Sequence, residues 1–183
     1  MSDIKIINNF LNKQTADDVE NLLLSADFNW FFSPNTYGEN FNPISKNEIE
    51  TYQLTHTFYS FVKDNINSPY FNFIVNLINH IDYKSVLRIR ANFVGNISNL
   101  NKEKHQPIHT DRSEKNCKTL LYYVNDSDGD TIFFDDKNKI YKKVKPKKNR
   151  AVLFNSNIKH AGSNPIKSKY RVVINYIMEM YND

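Results

Sequence analysis

Three residues able to bind a metal ion stand out by type and spacing. His109 and Asp111 flank Thr110, and His160 stands within Ser156-Asn-Ile-Lys-His-Ala-Gly162. Residues i and i+2 of a β-strand share one face, so His109 and Asp111 can hold one ion from a single strand with Thr110 turned away. Two histidines and one carboxylate on one side of an ion leave coordination positions open, a set that suits non-haem Fe(II). Arg171 heads the mostly apolar run Val-Val-Ile-Asn-Tyr-Ile. A guanidinium buried in such a strand needs an anionic partner. A dicarboxylate such as 2-oxoglutarate would chelate the metal at one end and meet Arg171 at the other.

These residues fall in the second half of the chain, where short strand candidates follow one another: 86–94, 106–111, 118–124, 131–134, 140–144, 151–154 and 170–178. Short strands with frequent turns argue a sandwich or jelly roll. In 86–94, Leu87, Ile89 and Ala91 take one face and Arg88, Arg90 and Asn92 the other, which reads as a site wall or as an exposed face. In 117–124 the alternation puts Tyr123 on one face with Cys117, Thr119 and Leu121. The first part of the chain reads as a short strand at 4–11, then a helix capped by Thr15. Asp17 and Asp18 fall in its first turn, and Val19, Leu22, Leu23 and Leu24 form its apolar face. A loop over 33–46, a strand over 53–61 and a helix opening near Pro69 follow. The expected architecture is mainly β with flanking helices (α+β): one domain, residues 1–84 as helical support and 85–183 as the β core.

His109-Thr-Asp111, His160 and Arg171 resemble the signature of the 2-oxoglutarate/Fe(II)-dependent dioxygenases. Thr119-Leu-Leu-Tyr-Tyr-Val-Asn125 resembles the strand that prolyl hydroxylases carry after their His-x-Asp. Asp128-Gly-Asp-Thr-Ile-Phe133 resembles their Gly-Gly-x-Thr-x-Phe turn, with Asp128 in place of the first glycine. Val144-Lys-Pro146 through Phe154 resembles the segment leading to their distal histidine. Ile-Ile-Asn-Asn-Phe-Leu11, Trp30-Phe-Phe and Gln53-Leu-Thr-His-Thr-Phe-Tyr59 look closest to small oxygenases encoded by marine bacteriophages. The resemblance implies a double-stranded β-helix (jelly roll, cupin-like) with Fe(II) on His109, Asp111 and His160. It implies 2-oxoglutarate on Arg171 and Tyr123, with Thr131 and Asn92 beside it, O₂ as the second co-substrate and ascorbate as an auxiliary reductant. The reaction implied is hydroxylation of a substrate C–H bond with release of succinate and CO₂. A prolyl residue of a protein or peptide is the first substrate to test. Small metabolites and alkylated nucleobases are the alternatives.

Composition constrains the rest. With 183 residues, 40% of them hydrophobic, the chain can bury a sizeable core. A single cysteine, Cys117, excludes an internal disulfide framework and points to a reducing compartment. No apolar run approaches the roughly 18 residues of a membrane span, so a cytoplasmic protein is expected, in a phage-infected bacterium if the phage likeness holds. The net charge of +4 hints only weakly at nucleic acid. The lysines between Lys139 and Arg150 read as a solvated hairpin that blunts a sheet edge. His56 is expected to be a hydrogen-bonded structural histidine, and His105 to lie in a surface loop. A cupin-type metal-binding barrel without oxygenase activity would account for the ligands but not for Arg171 and Tyr123 together.

Overall fold

A computed structural model describes residues 4–36, 42–63, 65–97 and 100–181. The strands are β1 (Lys5–Asn8), β2 (Phe31–Ser33), β3 (Gln53–Ser60), β4 (Asn65–Ile66), β5 (Ser85–Gly95), β6 (Cys117–Tyr123), β7 (Thr131–Phe134), β8 (Ile140–Val144), β9 (Arg150–Asn155), β10 (His160–Gly162) and β11 (Tyr170–Glu179). Two helices, α1 (Lys13–Leu23) and α2 (Phe71–Asn76), precede β5. The larger sheet runs β1-β9-β6-β11-β5-β3-β2, with β4 paired to β3, and the smaller runs β10-β7-β8. Every pairing of these strands is antiparallel.

β11 is the spine of the larger sheet, and its position explains its composition. A central strand covered on both faces loses the alternation of a half-exposed one. On one face Val172, Ile174, Tyr176 and Met178 join Leu120, Tyr122, Ile89 and Ala91 in a core that also takes in Val19 and Leu23 of α1 and Ile74 of α2. On the other face Val173 joins Leu121, Tyr123 and Val152, packed against Phe133 and Val144 of the smaller sheet. Two antiparallel sheets facing each other across this inner cluster, with helices on the outer side, form the jelly roll that the strand spacing predicts.

Several local expectations are corrected. Asn12, not Thr15, caps α1: its side chain accepts the Thr15 backbone N–H at 2.9 Å, so the helix starts earlier and Asp17 and Asp18 lie beyond its first turn. The described residues before 84 supply four strands as well as two α-helices, and β1 and β3 pair directly with β9 and β5. The segment after Tyr123 crosses between sheets, because β6 belongs to the larger sheet and β7 to the smaller. Asp128 anchors this crossing by accepting the backbone N–H groups of Ile166, Lys167 and Ser168. That is the work of the aspartate standing in the first-glycine position. His105 is buried rather than on the surface; its Nδ1 donates to the Gln106 carbonyl and its ring lies 5.1 Å from that of Phe134. His56 is structural as expected, held between Asn29 O and Ser68 Oγ. The basic run is partly engaged: Lys148 pairs with Asp17 and Glu20 of α1, and Lys142 reaches the Ile4 carbonyl.

Candidate metal centre

His109, Asp111 and His160 meet, with one possible donor atom of each lying within 4.8 Å of the others. His109 and Asp111 do not share a regular strand. His109 forms an isolated two-residue bridge to His160, with N–H···O bonds of 3.0 and 2.9 Å in both directions, and a bend follows at Asp111. The Asp111 and Arg112 backbone N–H groups both donate to Ser156 O, so the bend is tied to the end of β9. Backbone pairing therefore fixes the spacing of the two imidazoles, whose centroids are 4.5 Å apart.

Each imidazole is also fixed in rotation. Nδ1 of His109 lies 3.0 Å from the Pro107 carbonyl, and Nδ1 of His160 lies 3.0 Å from the Ile158 carbonyl. A ring nitrogen facing a carbonyl must carry the proton, which leaves the Nε2 lone pair of each ring for a cation. Burial, then the neighbouring His109, pull His160 from 6.5 down to about 4, so it is neutral and ready to coordinate at ordinary pH. Burial opposes ionisation of Asp111. The two histidines when protonated, Arg88 and the Thr119 hydroxyl outweigh that effect and hold the carboxyl below the usual range. Thr119 Oγ1 donates to Asp111 Oδ2 at 2.8 Å, Asn175 Nδ2 lies 3.3 Å from the same oxygen, and Arg88 reaches Oδ1 at 3.2 Å. Pre-oriented imidazoles, His160 neutral among them, beside an ionised carboxylate fit a divalent cation.

Behind the triad lies a second group. Arg171, Tyr123 and Thr131 are all buried. Thr131 Oγ1 accepts from Tyr123 Oη at 2.7 Å and from Arg171 Nη2 at 2.9 Å. No carboxylate forms a salt bridge with Arg171 among the described residues, and its Nε is buried without a partner. A buried guanidinium held only by hydroxyls and an aromatic face, with Cζ 5.8 Å from the Tyr123 ring centroid, is an incomplete anion site. A carboxylate entering there would complete it. Asn92 does not join this group. It lines a cavity of about 280 Å³ in front of the triad with Arg88, Arg90, Gln53, His109 and Asp111.

Sequence reasoning missed three contributors, and for a fourth, Arg88, it missed the pairing with the metal-binding carboxylate. Thr119 and Asn175 hold Asp111, Arg88 pairs with it, and Gln106 lines the cavity with its buried Nε2 unpartnered. Signals existed for two of them. Thr119 shares the face of Tyr123, and Asn175 is the one polar residue interrupting the apolar run after Arg171.

The 2OG-Fe(II) oxygenase superfamily profile matches residues 79–179. No curated protein matches the chain. Among solved structures, an oxidoreductase of the 2OG-Fe(II) oxygenase family from Burkholderia pseudomallei is similar with a TM-score of 0.70 and 10% identity, over 98% of this chain and 86% of that one. A prolyl-4-hydroxylase from Pseudomonas putida gives a TM-score of 0.58 and 12% identity over 100% and 95% of the two chains. A prolyl hydroxylase from Trichoplax adhaerens, solved with a hypoxia inducible factor oxygen degradation domain peptide, gives 0.57 and 20% over 96% and 83%. At these identities the likeness speaks for the fold alone.

Proposed function

The chain belongs to the 2OG-Fe(II) oxygenase superfamily, dioxygenases that use Fe(II) and 2-oxoglutarate, and from that premise we propose that it hydroxylates a C–H bond of its substrate at the His109–Asp111–His160 site. The observation that carries this reading is the pairing of a cation-ready triad with an unpaired buried guanidinium behind it. In this reading His109 and His160 give their Nε2 atoms and Asp111 a carboxylate oxygen to Fe(II). Arg171 and the Tyr123 hydroxyl receive the distal carboxylate of 2-oxoglutarate, and Thr131 keeps both in register. When bound, iron, 2-oxoglutarate and O₂ supply the oxidising power, with succinate and CO₂ as co-products.

The chain's own residues bind, orient and exclude water, and none acts as a proton-transfer group. Thr119, Asn175 and Arg88 hold Asp111 in its binding orientation. The inner apolar cluster, with Phe133, Phe154 and Val173, keeps the region around Arg171 and His160 dry. A dry surrounding strengthens the charge pairing that orients the co-substrate. Asn92 faces the cavity from β5, where it would contact substrate or the near end of the co-substrate. We assign residues 1–183 to one oxygenase domain, because strands from before residue 84 complete the same larger sheet. We place it in the cytoplasm, where a lone cysteine and a ferrous site are kept reduced. The likeness of 119–133 to prolyl hydroxylases makes a prolyl peptide the first substrate class in this reading.

The test is anaerobic loading with Fe(II) and 2-oxoglutarate, followed by O₂. A weak visible charge-transfer band before O₂ and succinate after it are expected. Both should be weakened in Arg171→Ala. Absence of the band together with absence of 2-oxoglutarate binding would overturn the reading.

A further inference from the structure

The cavity in front of the triad carries more positive charge than the metal and its co-substrate need. β5 brings Arg88 and Arg90 to one wall at adjacent same-face positions, and among the described residues the only carboxylate lining the cavity is Asp111. Arg88 gives one terminal nitrogen to Asp111, and its buried Nε has no partner. Arg90 donates Nε to Thr57 Oγ1 at 3.2 Å and forms no salt bridge among the described residues. The register sets this wall: Arg90 stands between Thr57 on β3 and Asn175 on β11. Neither neighbour can neutralise it.

Charge balance makes the excess plain. With Fe(II) and 2-oxoglutarate in place, the metal's two positive charges and Arg171 are matched by Asp111 and the two co-substrate carboxylates. Arg90 is left over, and Arg88 has only the carboxylate that it shares with the metal. Two neighbouring cations in a half-enclosed cavity repel each other, and the repulsion grows as substrate expels water. A carboxylate or phosphate relieves it, because two oxygens of either group match the guanidinium fork.

We propose that Arg88 and Arg90 form an anion-recognition wall in the substrate pocket, so that the substrate carries a carboxylate or phosphate group close to the C–H bond that is hydroxylated. This rests on the function proposed above and narrows its substrate. The cavity volume of about 280 Å³ accommodates an amino acid or one side chain of a peptide. A neutral prolyl ring alone would leave Arg90 unmatched and Arg88 with only the carboxylate that it shares with the metal. A prolyl substrate at this site therefore has an acidic neighbour.

The test uses the Fe(II)–2-oxoglutarate protein under anaerobic conditions, with the charge-transfer band as the readout. Three matched pairs of probes are titrated: L-glutamate against L-glutamine, L-aspartate against L-asparagine, and O-phospho-L-serine against L-serine. The band is expected to shift with at least one acid, at a dissociation constant at least roughly tenfold below that of its neutral partner. Which acid prevails distinguishes a carboxylate from a phosphate. Arg90→Gln should remove that preference while the band formed with 2-oxoglutarate persists, and Arg90→Lys should retain part of it. Equal binding, or none, within all three pairs overturns the proposal. So does an Arg90→Gln protein that no longer binds 2-oxoglutarate, since the arginine would then serve the co-substrate. A wild-type protein without any band removes the oxygenase site itself, and this inference with it.

Discussion

Thr119 Oγ1 lies 2.8 Å from Asp111 Oδ2 and 2.9 Å from Ser156 Oγ, so one hydroxyl in the middle of the larger sheet holds a carboxylate that sits on a bend. Asp111 has no regular strand of its own to fix it. Its orientation therefore depends on side chains from β5, β6 and β11.

Thr119→Val keeps the shape and removes the hydroxyl. Loss of such an outer partner typically costs about 10–100-fold in metal affinity. That weakening is expected for Fe(II) or Mn(II), measured by competition with a chromophoric chelator, and Thr119→Ser should recover most of it. Unchanged affinity in Thr119→Val would show that the backbone bonds to Ser156 are sufficient.

Arg171→Met should move stability and co-substrate binding in opposite directions. The wild-type guanidinium is buried without a carboxylate partner, so its removal relieves a desolvated charge. The melting temperature without 2-oxoglutarate is expected to hold or rise. The upward shift on adding 2-oxoglutarate with Mn(II), present in wild type through mass action, should vanish. A lower melting temperature without co-substrate would mean that the bond to Thr131 and the Tyr123 ring already compensates the charge.

Acid should destabilise the metal-free protein before carboxylates titrate. His160 has a folded pKa of about 4 against an ordinary value of 6.5, through burial and then through His109. The unfolded chain takes up a proton near 6.5 that the folded chain refuses until about 4. Stability from this residue is thus fully present above 6.5 and lost as pH falls towards 4, by on the order of 3 kcal/mol. Asp111, whose pKa is lowered, adds a loss of the same sign as pH drops through and below 3.8. Urea unfolding between pH 7 and 4 measures the slope, which His160→Asn should flatten. A wild-type profile that is flat over this interval would contradict the buried, neutral imidazole.

Gly129→Ala should loosen the co-substrate end of the site while leaving the triad. A Cβ at Gly129 would stand 2.5 Å from the Ser163 carbonyl and 3.2 Å from Arg171 Cδ, so the backbone over Arg171 must move. Overpacking of this kind costs about 1–3 kcal/mol. A lower urea midpoint and weaker 2-oxoglutarate binding are expected, with Mn(II) affinity within a few-fold of wild type. An equal loss of metal affinity would show that the two halves of the site are not separable.

What was legible in the sequence follows from what each signal depends on. The strands 131–134 and 140–144 match β7 and β8 to the residue, and 86–94 falls within β5, because side-chain alternation and turn residues are local properties. Arg88, Arg90 and Asn92 fall on one face for the same reason, and that face lines the cavity. The partners of Asp111 were not legible, since they depend on the register between strands far apart in the chain. His105 was misjudged because its Lys-Glu-Lys neighbours look solvated, whereas a bridge between Glu48 and His105 pulls the segment inward. Glu48 itself accepts the Ile108 N–H at 2.8 Å, a long-range bond without a sequence signature.

The central place of β11 has a consequence for biosynthesis. β11 is hydrogen-bonded to β5 on one side and β6 on the other, yet both neighbours leave the ribosome before it. Until residue 170 has been made, two strand edges that will be interior stand open, and open edges invite pairing with other chains. A nascent chain paused at that point already holds both histidines and the aspartate but lacks Arg171 and Asn175, so neither the anion site nor the support of Asp111 is complete. Chaperone demand should therefore peak while residues 96–169 are exposed, and slow codons before residue 170 should lower soluble yield more than slow codons after it.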